Sequence, residues 1–317
     1  MIQKTEKDIT LAEITKIIGL FKKNYGNYHY QCFSSKEKFI EKMKNDSLHF
    51  VYLVDDDKVV GFAGYYLRNN EKTSQKEIFL AHLLVDNDYR GQGLGTILEN
   101  KRLNIVENIP SVDIIWASCV ENPMKSVQMK LNRGFEIYGF RYNYRPNNSV
   151  NKNALVLVKK LNKNLKYENA ITQLTRLSCV SNEKTQSNLN YYMKIEENKA
   201  LLRTVCKISL FCEEGYIPVN SENLEKLKQM EGYISIHVSP FINGFDLLDS
   251  FIEKRHFYRL AYIPDSNTCN GLIEYEYLRN GIDVVFQDKN VSIEAKSFLT
   301  PIYKESINEY SNNLRAI

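Results

Sequence analysis

Hydrophobic residues near the start of the chain recur at helical spacing. Between residues 11 and 21 the apolar positions fall on one helical face, and Thr10 with Glu13 forms a pattern typical of a helix N-terminus, in which each side chain binds the other residue's backbone N–H. Ser34 and Glu37 repeat this pattern ahead of a second apolar stretch. Two amphipathic helices are therefore predicted, each with its own cap.

The pattern then changes to strand-like apolar runs. Runs 49–54 and 59–67 are separated by four charged residues, which predicts a β-hairpin. The run 77–85 is mostly apolar, as expected of a strand covered on both faces. A glycine-rich turn and a helix follow, and further strands are predicted at 112–119, 135–144 and 154–161, with a short helix that ends at Gly134. This alternation predicts a mixed α/β fold for residues 1–161.

The second half of the chain repeats the alternation more weakly. The polar stretch 162–166 predicts a linker, so we expect a second domain at 167–317. Helices are predicted at 167–180, 221–230 and 245–254, and strands at 191–195, 201–211, 233–238, 257–263, 272–278 and 282–287. We therefore expect two domains, both of mixed α/β structure.

The composition narrows the class of protein. The chain has 317 residues, 43% hydrophobic and 25% charged, which is typical of folded globular proteins. Its net charge of +4 is spread along the chain, which argues against a nucleic-acid partner. No apolar run reaches the roughly 18 to 20 residues that span a bilayer, and no signal peptide is recognisable, so we expect a cytoplasmic protein that does not enter the membrane. The six cysteines lack C-x-x-C spacing, so neither disulfides nor a metal site are expected.

A turn with three glycines carries the sharpest chemical signal. It lies between the strand 77–85 and the next helix and has the sequence Arg90-Gly91-Gln92-Gly93-Leu94-Gly95. Glycines let a backbone approach a ligand closely, and the N–H groups at a helix N-terminus bind phosphate oxygens. A dinucleotide fingerprint fits less well, because Arg90 takes the place of its first glycine and the strand is not the first of its domain. A tight turn without a ligand is the remaining alternative.

This segment resembles the GNAT family of N-acetyltransferases, whose pyrophosphate loop follows the pattern R/Q-x-x-G-x-G/A. Here the pattern is Arg90, Gly93 and Gly95, and the preceding strand 79–85 is similar to the family's usual lead-in. The other matching residues are Asn122, Ser126 and the triplet Arg133-Gly134-Phe135. The resemblance covers about residues 1–161 and implies the GNAT fold there.

Acetyl-CoA is the cosubstrate that the resemblance implies. The backbone amides of residues 92–96 would hold its pyrophosphate, the main chain of 83–85 would pair with its pantetheine arm, and Asn122 would hold the arm from the other side. An extended arm that carries amides can bind open main-chain groups as an additional strand does. The implied cofactor-binding residues are Leu83, Leu84, Val85, Arg90, Gly91, Gln92, Gly93, Leu94, Gly95, Thr96, Asn122, Ser126 and Lys130.

Acetyl transfer needs a neutral amine, so a base must remove a proton. Glu77 lies thirteen residues before the arginine of the loop, which is the register of the catalytic Glu in histone acetyltransferases of the family, and it is the implied base. Strict alternation would place Glu77 on the same strand face as Leu83 and Val85, and His82 on the opposite face. His82 and Glu121 are the other candidates, and a solvated charge at the start of the strand is the alternative role for Glu77.

The proton donor departs from the family. Many members carry a Tyr four residues before the Gly of the Gly-Phe pair, where this chain has Lys130. A lysine there would stabilise the leaving thiolate as a cation or donate a proton, unless it is an ordinary exposed helix residue. Tyr138, Tyr142 and Tyr144 are alternatives on the following strand, so the acid stays open.

Residues 167–317 contain no R-x-x-G-x-G pattern, so no second CoA site is predicted there. Their layout resembles the later part of an acetyltransferase domain, which implies a degenerate GNAT-like lobe that binds the acceptor. Tandem chains of this kind resemble the two-domain self-resistance acetyltransferases of antibiotic-producing bacteria. Candidates for binding the ammonium groups of an acceptor are Glu213, Glu214, Glu274 and Glu276.

The implied function is acetyl-CoA-dependent N-acetyl transfer to a primary amine of a small molecule or peptide, with antibiotic self-resistance as one biological role. The alternative is a non-catalytic sensor or scaffold that binds an acyl-CoA. The sequence does not name the acceptor or the oligomeric state.

Overall fold

The computed structural model of the chain contains two compact units. One comprises Met1–Ala117 with Lys159–Leu165, and the other comprises Ser118–Val158 with Lys166–Ile317. The domain bounds expected from the sequence, 1–161 and 167–317, stay a prediction. The structure describes residues 1–25, 31–45, 48–69, 76–121, 124–145, 152–161, 191–198, 203–209, 214–230, 233–238, 257–263, 272–277, 282–289, 291–301 and 303–304.

The first unit is an α/β structure with a mixed sheet. Its helices are α1 (Leu11–Tyr25), α2 (Lys36–Asn45) and α3 (Leu94–Glu107), and its strands are β1 (Ile2–Thr5), β2 (Leu48–Asp55), β3 (Lys58–Asn69), β4 (Lys76–Val85) and the beginning of β5 (Val112–Val120). Strands β1 to β4 pair antiparallel in sequence order, and β4 pairs with β5 in parallel. The predicted hairpin is confirmed as β2 and β3, whose turn places Asp56 and Asp57 at positive φ.

Both faces of this sheet are covered. One face packs against α1 and α2 through an aromatic cluster that includes Phe21, Phe33, Phe39, Phe50 and Phe62. The other face packs against α3 through Val51, Leu53, Val60, Ala63, Leu94 and Leu98. Strands covered on both sides are apolar at nearly every position, which is why these runs lack clean alternation in the sequence.

The first helix cap is confirmed. The Glu13 carboxylate accepts from the Thr10 backbone N–H at 2.9 Å, and the Thr10 hydroxyl accepts from the Glu13 N–H at 3.2 Å. The second cap was predicted one residue too early. Helix α2 begins at Lys36, so the cap is Ser35, whose hydroxyl accepts from the Lys38 N–H at 3.3 Å. Ser34 is the serine with a glutamate three residues on, but Ser35 is the residue that directly precedes the helix.

The second unit is also mixed α/β. Its helices are α4 (Lys125–Leu131), α5 (Ser221–Lys228), α6 (Ile282–Gln287) and α7 (residues 293–301), and its strands are β6 (Glu136–Arg145), β7 (Lys152–Lys160, of which 152–158 belong here), β8 (Tyr192–Asn198), β9 (Arg203–Ser209), β10 (Ile217–Pro218), β11 (Tyr233–Val238), β12 (Phe257–Ile263) and β13 (Leu272–Tyr277). The strand predicted at 282–287 is wrong. This segment is helical, and Val285 is buried while Phe286 stacks on Tyr303 with ring centroids 4.4 Å apart. The helices predicted at 167–180 and 245–254 lie outside the described residues.

A parallel pair organises the C-terminal half. Strands β9 and β11 run parallel, and Leu224 and Leu227 of the intervening helix α5 are buried in the same core cluster as residues of both strands. Strand β13 pairs antiparallel with β11, and β12 pairs with β13. The degenerate GNAT-like lobe implied for residues 167–317 stays a prediction.

The cap of α1 generates a prediction about stability and pH. Burial alone would raise the pKa of Glu13, but hydrogen bonds from Lys4 and Thr10 outweigh it and hold that pKa at about 2, below its usual 4.5. A lowered pKa stabilises the fold above about pH 4.5, and this contribution is lost as the pH falls towards 2. We expect Glu13→Gln to lower the free energy of unfolding by about 1 kcal/mol at pH 7.

Urea denaturation of wild type and Glu13→Gln at pH 7, 5 and 3 measures this difference. It should shrink at pH 3, because the Glu13 carboxylate of the unfolded chain, with its usual pKa of 4.5, is then mostly protonated. Glu41→Gln, an exposed position on α2, serves as the control and should show no such convergence. A difference that stays constant across the three pH values would contradict this role for Glu13.

Candidate active site

Strand β4 leaves its parallel neighbour before it ends. Its pairing with β5 runs from Lys76 opposite Val112 to Leu80 opposite Ala117. On the other edge β4 stays paired with β3 as far as Val85. Among the described residues, no strand pairs with β4 on the β5 side beyond Leu80, so the ladder between the two strands ends there. Backbone groups beyond the end of a ladder need other partners.

A β-bulge lies in β4 just beyond the end of its ladder with β5. Ala81 is opposite Gly64 and Leu84 is opposite Phe62, so β4 has one residue more than β3 in this interval. His82, inside the bulge, has a φ of 58°, which is rare for a non-glycine residue. A bulge of one residue reverses the alternation of side chains along the strand that follows.

The reversal changes which face each site residue occupies. The imidazole Nε2 of His82 lies 2.8 Å from the hydroxyl oxygen of Tyr66. Tyr66 in turn is opposite Phe79 in register and stacks on it, so these residues share the face of Glu77. The expectation from strict alternation, which placed His82 on the face opposite Glu77, is therefore wrong.

Leu83 and Val85 are displaced in the other direction. Both pack against the cluster under α3, whereas Leu84 belongs to the core under α1 and α2. The sequence placed Leu83 and Val85 on the face of Glu77, and this too is wrong because of the bulge. Their side chains therefore anchor the end of β4 to the helix that follows the glycine turn.

Glu77 is a buried carboxylate with a cationic neighbour. Its exposed fraction is 4%, which excludes the solvated charge considered from the sequence. Arg68, directly opposite on β3, donates from Nη1 to Oε1 of Glu77 at 3.3 Å. The Arg68 guanidinium also lies over the rings of Phe79 and Trp116, 5.6 Å and 5.9 Å from their centroids. The carboxylate is thus held in place by an arginine that itself rests on two aromatic rings.

The glycine turn has the geometry of an anion site. Gly91 and Gly93 have φ values of 83° and 76°, a region that other residues enter only under strain. Gly93 caps α3, and its carbonyl accepts the N–H groups of Thr96 at 3.0 Å and Ile97 at 3.1 Å. The earlier N–H groups of a first helical turn have no acceptor inside the helix. Residues 90–93 are exposed, so this N-terminus is accessible to a phosphate.

Arg90 supports the turn from its outer side. Its Nε donates to the carbonyl of Val85 at 3.2 Å, and its Nη2 donates to Oδ1 of Asn24 at 3.5 Å. Lys23, also on α1, pairs with Asp86 and Asp88 at 2.7 Å each. The C-terminal end of α1 is therefore tied to the turn by several exposed polar contacts, each of which contributes little alone.

The remaining predicted cofactor residues lie beyond Ser118. Ser126 is half-buried on α4, and Asn122 lies outside the described residues. Lys130 is 2% exposed, so it is not the exposed helix lysine considered from the sequence. Gly134 has a φ of 79° after the end of α4, as expected for a helix C-terminus. Contact of any of these residues with the cosubstrate stays a prediction.

The tyrosine candidates for the acid differ in their surroundings. Tyr138 is buried, and burial with the nearby charge of Glu136 raises its pKa well above the usual value. Tyr142 donates its hydroxyl to Oδ2 of Asp288 at 3.0 Å, and burial together with this contact raises its pKa to about 12. The side chain of Tyr144 lies outside the described residues. Tyr138 and Tyr142 are thus poorer acids than a free phenol, and the acid stays unassigned.

Glu121 is bound by the C-terminal segment. Ser292 donates its backbone N–H to Oε1 of Glu121 at 3.1 Å, and its hydroxyl binds the same oxygen. Ser292 also caps α7 by accepting the N–H of Ala295 at 3.1 Å. Burial is the main cause that raises the pKa of Glu121, and the bonds from Ser292 oppose it. A connection between residues 171 positions apart ties the end of β5 to the C-terminal helix.

The sequence did not point to two buried charges on α3. Arg102 and Glu99 on α3 are 1% and 0% exposed and form an ion pair. The available signal was the position of Arg102, four residues after Leu98 and eight after Leu94, in line with the apolar stripe of the helix. A charge inside such a stripe indicates a buried partner.

Within the described part of the chain, no group of three or more His, Cys, Asp or Glu side chains is arranged to hold a metal ion. Across the same residues, no helix combines the length and the apolar character needed to cross a membrane.

Solved structures resemble about half of the chain. The protein smu.2055 of Streptococcus mutans aligns with 18% identity and a TM-score of 0.43, covering 51% of this chain and 100% of its own. The ribosomal-protein-S18-alanine N-acetyltransferase of Escherichia coli aligns with 17% identity and a TM-score of 0.41, covering 52% and 100%. Arabidopsis thaliana NAA60 in complex with acetyl-CoA aligns with 12% identity and a TM-score of 0.38, covering 50% and 97%. No curated protein matches the chain.

A sequence model of a protein family matches the part of the chain that contains β4 and the glycine turn. The family is described as the acetyltransferase (GNAT) family, and the match spans residues 14–135. This range begins inside α1 and includes α2, β2 to β5, α3 and α4. Residues 14–135 thus form a domain of the acetyltransferase (GNAT) family.

Proposed function

We propose that the protein transfers the acetyl group of acetyl-CoA to a primary amine of a small molecule or peptide. The observation that carries the proposal is the glycine turn at the N-terminus of α3, which follows the strand that has left its parallel neighbour. Both features lie in the segment that matches the acetyltransferase family. Acetyl-CoA is the cosubstrate.

The turn and the strand divide the binding of acetyl-CoA between them. The backbone amides of residues 92–96 bind the pyrophosphate, because the positive φ of Gly93 turns the chain so that successive N–H groups face outward at the helix N-terminus. The main chain of Leu83–Val85 pairs with the pantetheine arm, which takes the place that β5 vacates after Leu80. In this proposal the thioester lies near the bulge.

Acetyl transfer then requires the acceptor amine to be neutral. The amine nitrogen attacks the thioester carbonyl, the C–S bond breaks, and the thiolate of CoA leaves and is protonated. Glu77 is the proposed base that takes the proton of the amine, directly or through water. Its carboxylate is buried and held in place by the contact with Arg68. His82 is the second candidate, because the bulge brings it to the same face.

The C-terminal half supplies the acceptor site in this proposal. Strands β9 and β11 stay paired without a register shift from Arg203 opposite Tyr233 to Ile208 opposite Val238. The described part of this half therefore contains no counterpart of the split between β4 and β5. On β13, Glu274 and Glu276 are opposite His237 and Ser235 of β11 in register. An acceptor larger than a single cleft, such as a cationic antibiotic, fits a second lobe of this kind.

A sensor or scaffold that binds acyl-CoA without turnover is the alternative. It is favoured by Lys130 at the position of the family's tyrosine and by the ion pair that holds Glu77. Thiol release from acetyl-CoA, measured with a panel of polyamines, amino sugars and peptides with free N-termini, separates the two. Binding without thiol release for every amine would favour the sensor.

Gly95→Glu tests the pyrophosphate site. A Cβ at Gly95 meets only Val85 at 3.8 Å, and the backbone there is not left-handed, so the variant is expected to fold. Its carboxylate would lie at the helix N-terminus, which favours the fold but repels the phosphates. Calorimetry should show no binding at acetyl-CoA concentrations that saturate the wild type.

The matched control is Gly19→Glu, on the exposed side of α1 with nothing within 4 Å of the added Cβ. It should bind acetyl-CoA as the wild type does. Binding of similar strength by Gly95→Glu and Gly19→Glu would remove the basis of the proposal.

Glu77→Gln tests the base. We expect kcat to fall by roughly 10²- to 10⁴-fold, the usual share of general base catalysis, while the affinity for acetyl-CoA stays unchanged. Glu41→Gln on α2 controls for the loss of a carboxylate. A kcat of Glu77→Gln within about threefold of wild type, together with a large loss in His82→Asn, would assign the role to His82.

The double variant Glu274→Gln/Glu276→Gln tests the acceptor site. Loss of both charges on β13 should raise KM for a polyamine, with the affinity for acetyl-CoA measured by calorimetry left as in the wild type. Glu222→Gln, an exposed position on α5, is the matched control. An unchanged KM for every amine that the wild type acetylates would give the C-terminal half another role.

A further inference from the structure

The guanidinium of Arg102 is buried between α3 and the bulge of β4. It is 1% exposed, and its Nη1 donates to the carbonyl of Gly64 and to the carbonyl of Ala81, both at 2.7 Å. Its Nη2 pairs with the carboxylate of Glu99, which is fully buried. One arginine therefore binds main-chain oxygens of two neighbouring strands.

These two carbonyls belong to residues at the edge of the bulge. Gly64 and Ala81 form the register pair that precedes the extra residue, and His82 follows at a φ of 58°. A bulge interrupts the ladder, so its carbonyls need donors from elsewhere. Nη1 of Arg102 donates to both carbonyls. Because the donor is charged, these hydrogen bonds are stronger than those from a neutral group.

The same helix begins at the glycine turn. Arg102 lies nine residues after Gly93, which caps α3, or about 13 Å along the helix axis. Helix α3 thus presents its first N–H groups at one end and fixes the bulge with a side chain two and a half turns later. The distance between the proposed phosphate site and the bulge is set by a rigid helix.

We propose that Arg102 is a positioning residue for acetyl transfer, which holds the bulge of β4 at a fixed place relative to the N-terminus of α3. This inference rests on the proposed function, because the cosubstrate would span these two points, with its pyrophosphate at the turn and its thioester near the bulge. A shift of the bulge would move the thioester away from the attacking amine without affecting the phosphate contacts. Misplacement of reacting groups by about 1 Å can cost roughly 10²-fold in rate.

A purely structural role for the ion pair makes a different prediction. Replacing a buried ion pair by apolar residues of similar volume is often neutral or stabilising, whereas removing one partner leaves a buried charge. The double variant Glu99→Leu/Arg102→Leu removes both charges and fills the space, but leaves the carbonyls of Gly64 and Ala81 without these donors. It therefore separates support of the fold from support of the bulge.

The test compares this double variant with the wild type in the full chain. We expect a similar melting temperature, an affinity for CoA within about threefold, and a kcat for acetyl transfer lower by roughly 10²-fold. A folded double variant with wild-type kcat would overturn the proposal. If the double variant does not fold, Arg102→Lys and Arg102→Met decide, since lysine can donate to the carbonyls and methionine cannot. Equal kcat values in these two variants would overturn the proposal as well.

Failure of the proposed function is detected separately. If the wild type releases no thiol with any amine, the function proposed above fails, and the role of Arg102 is then judged in the ligand-free protein. The ring signals of His82, assigned in a spectrum of ¹³C-histidine-labelled protein with the aid of His82→Asn, report on the contact with Tyr66. These signals should move in Glu99→Leu/Arg102→Leu, and unchanged signals would show that Arg102 does not hold the bulge.

Discussion

Strand β4 pairs with two neighbours, β3 and β5, over different lengths. It stays paired with β3 up to Val85, which fixes the glycine turn that follows, and it leaves β5 after Leu80. The extra residue at His82 lies just beyond the end of the ladder between β4 and β5. Bulges disrupt a ladder and need outside donors, and the buried guanidinium of Arg102 is the donor here. The turn, the cleft and the faces of the site residues all depend on this one distortion.

The local parts of this arrangement could be predicted from the sequence. The cap of α1, the hairpin of β2 and β3, and the turn at Gly93 follow from short patterns whose geometry is set by neighbouring residues. The family resemblance carried by the turn is confirmed by the family model, which matches residues 14–135. Such patterns are reliable because capping and positive φ values restrict the residue types strongly.

The bulge could not be predicted in the same way. It is defined by the register between β3 and β4, and no glycine at position 82 indicates it. Alternation was therefore extended past the bulge, and His82, Leu83 and Val85 were assigned to the wrong faces. Arg102 was overlooked for a related reason, because its carbonyl partners lie 38 and 21 residues away in the chain. Glu121 and Ser292, which are also in contact, lie still farther apart in the sequence, 171 residues.

The C-terminal half differs from the domain that matches the GNAT family in one physical respect. Its parallel pair, β9 and β11, keeps an unbroken register over the described residues, so the backbone groups of this pair are used by the ladder. A strand pair without a divergence offers no place for an extended arm. The absence of the glycine pattern and the unbroken register both support the proposal that the N-terminal half binds the cofactor.

Amide hydrogen exchange of the full chain with and without acetyl-CoA tests whether the end of β4 and the glycine turn bind the cosubstrate. The account predicts slower exchange on addition of acetyl-CoA in peptides that cover residues 81–85 and 90–97, because the main chain there would bind the pantetheine arm and the pyrophosphate. Peptides that cover β9 and β11 should exchange as before. Protection of β9 and β11 without protection of the end of β4 and the glycine turn would contradict the account.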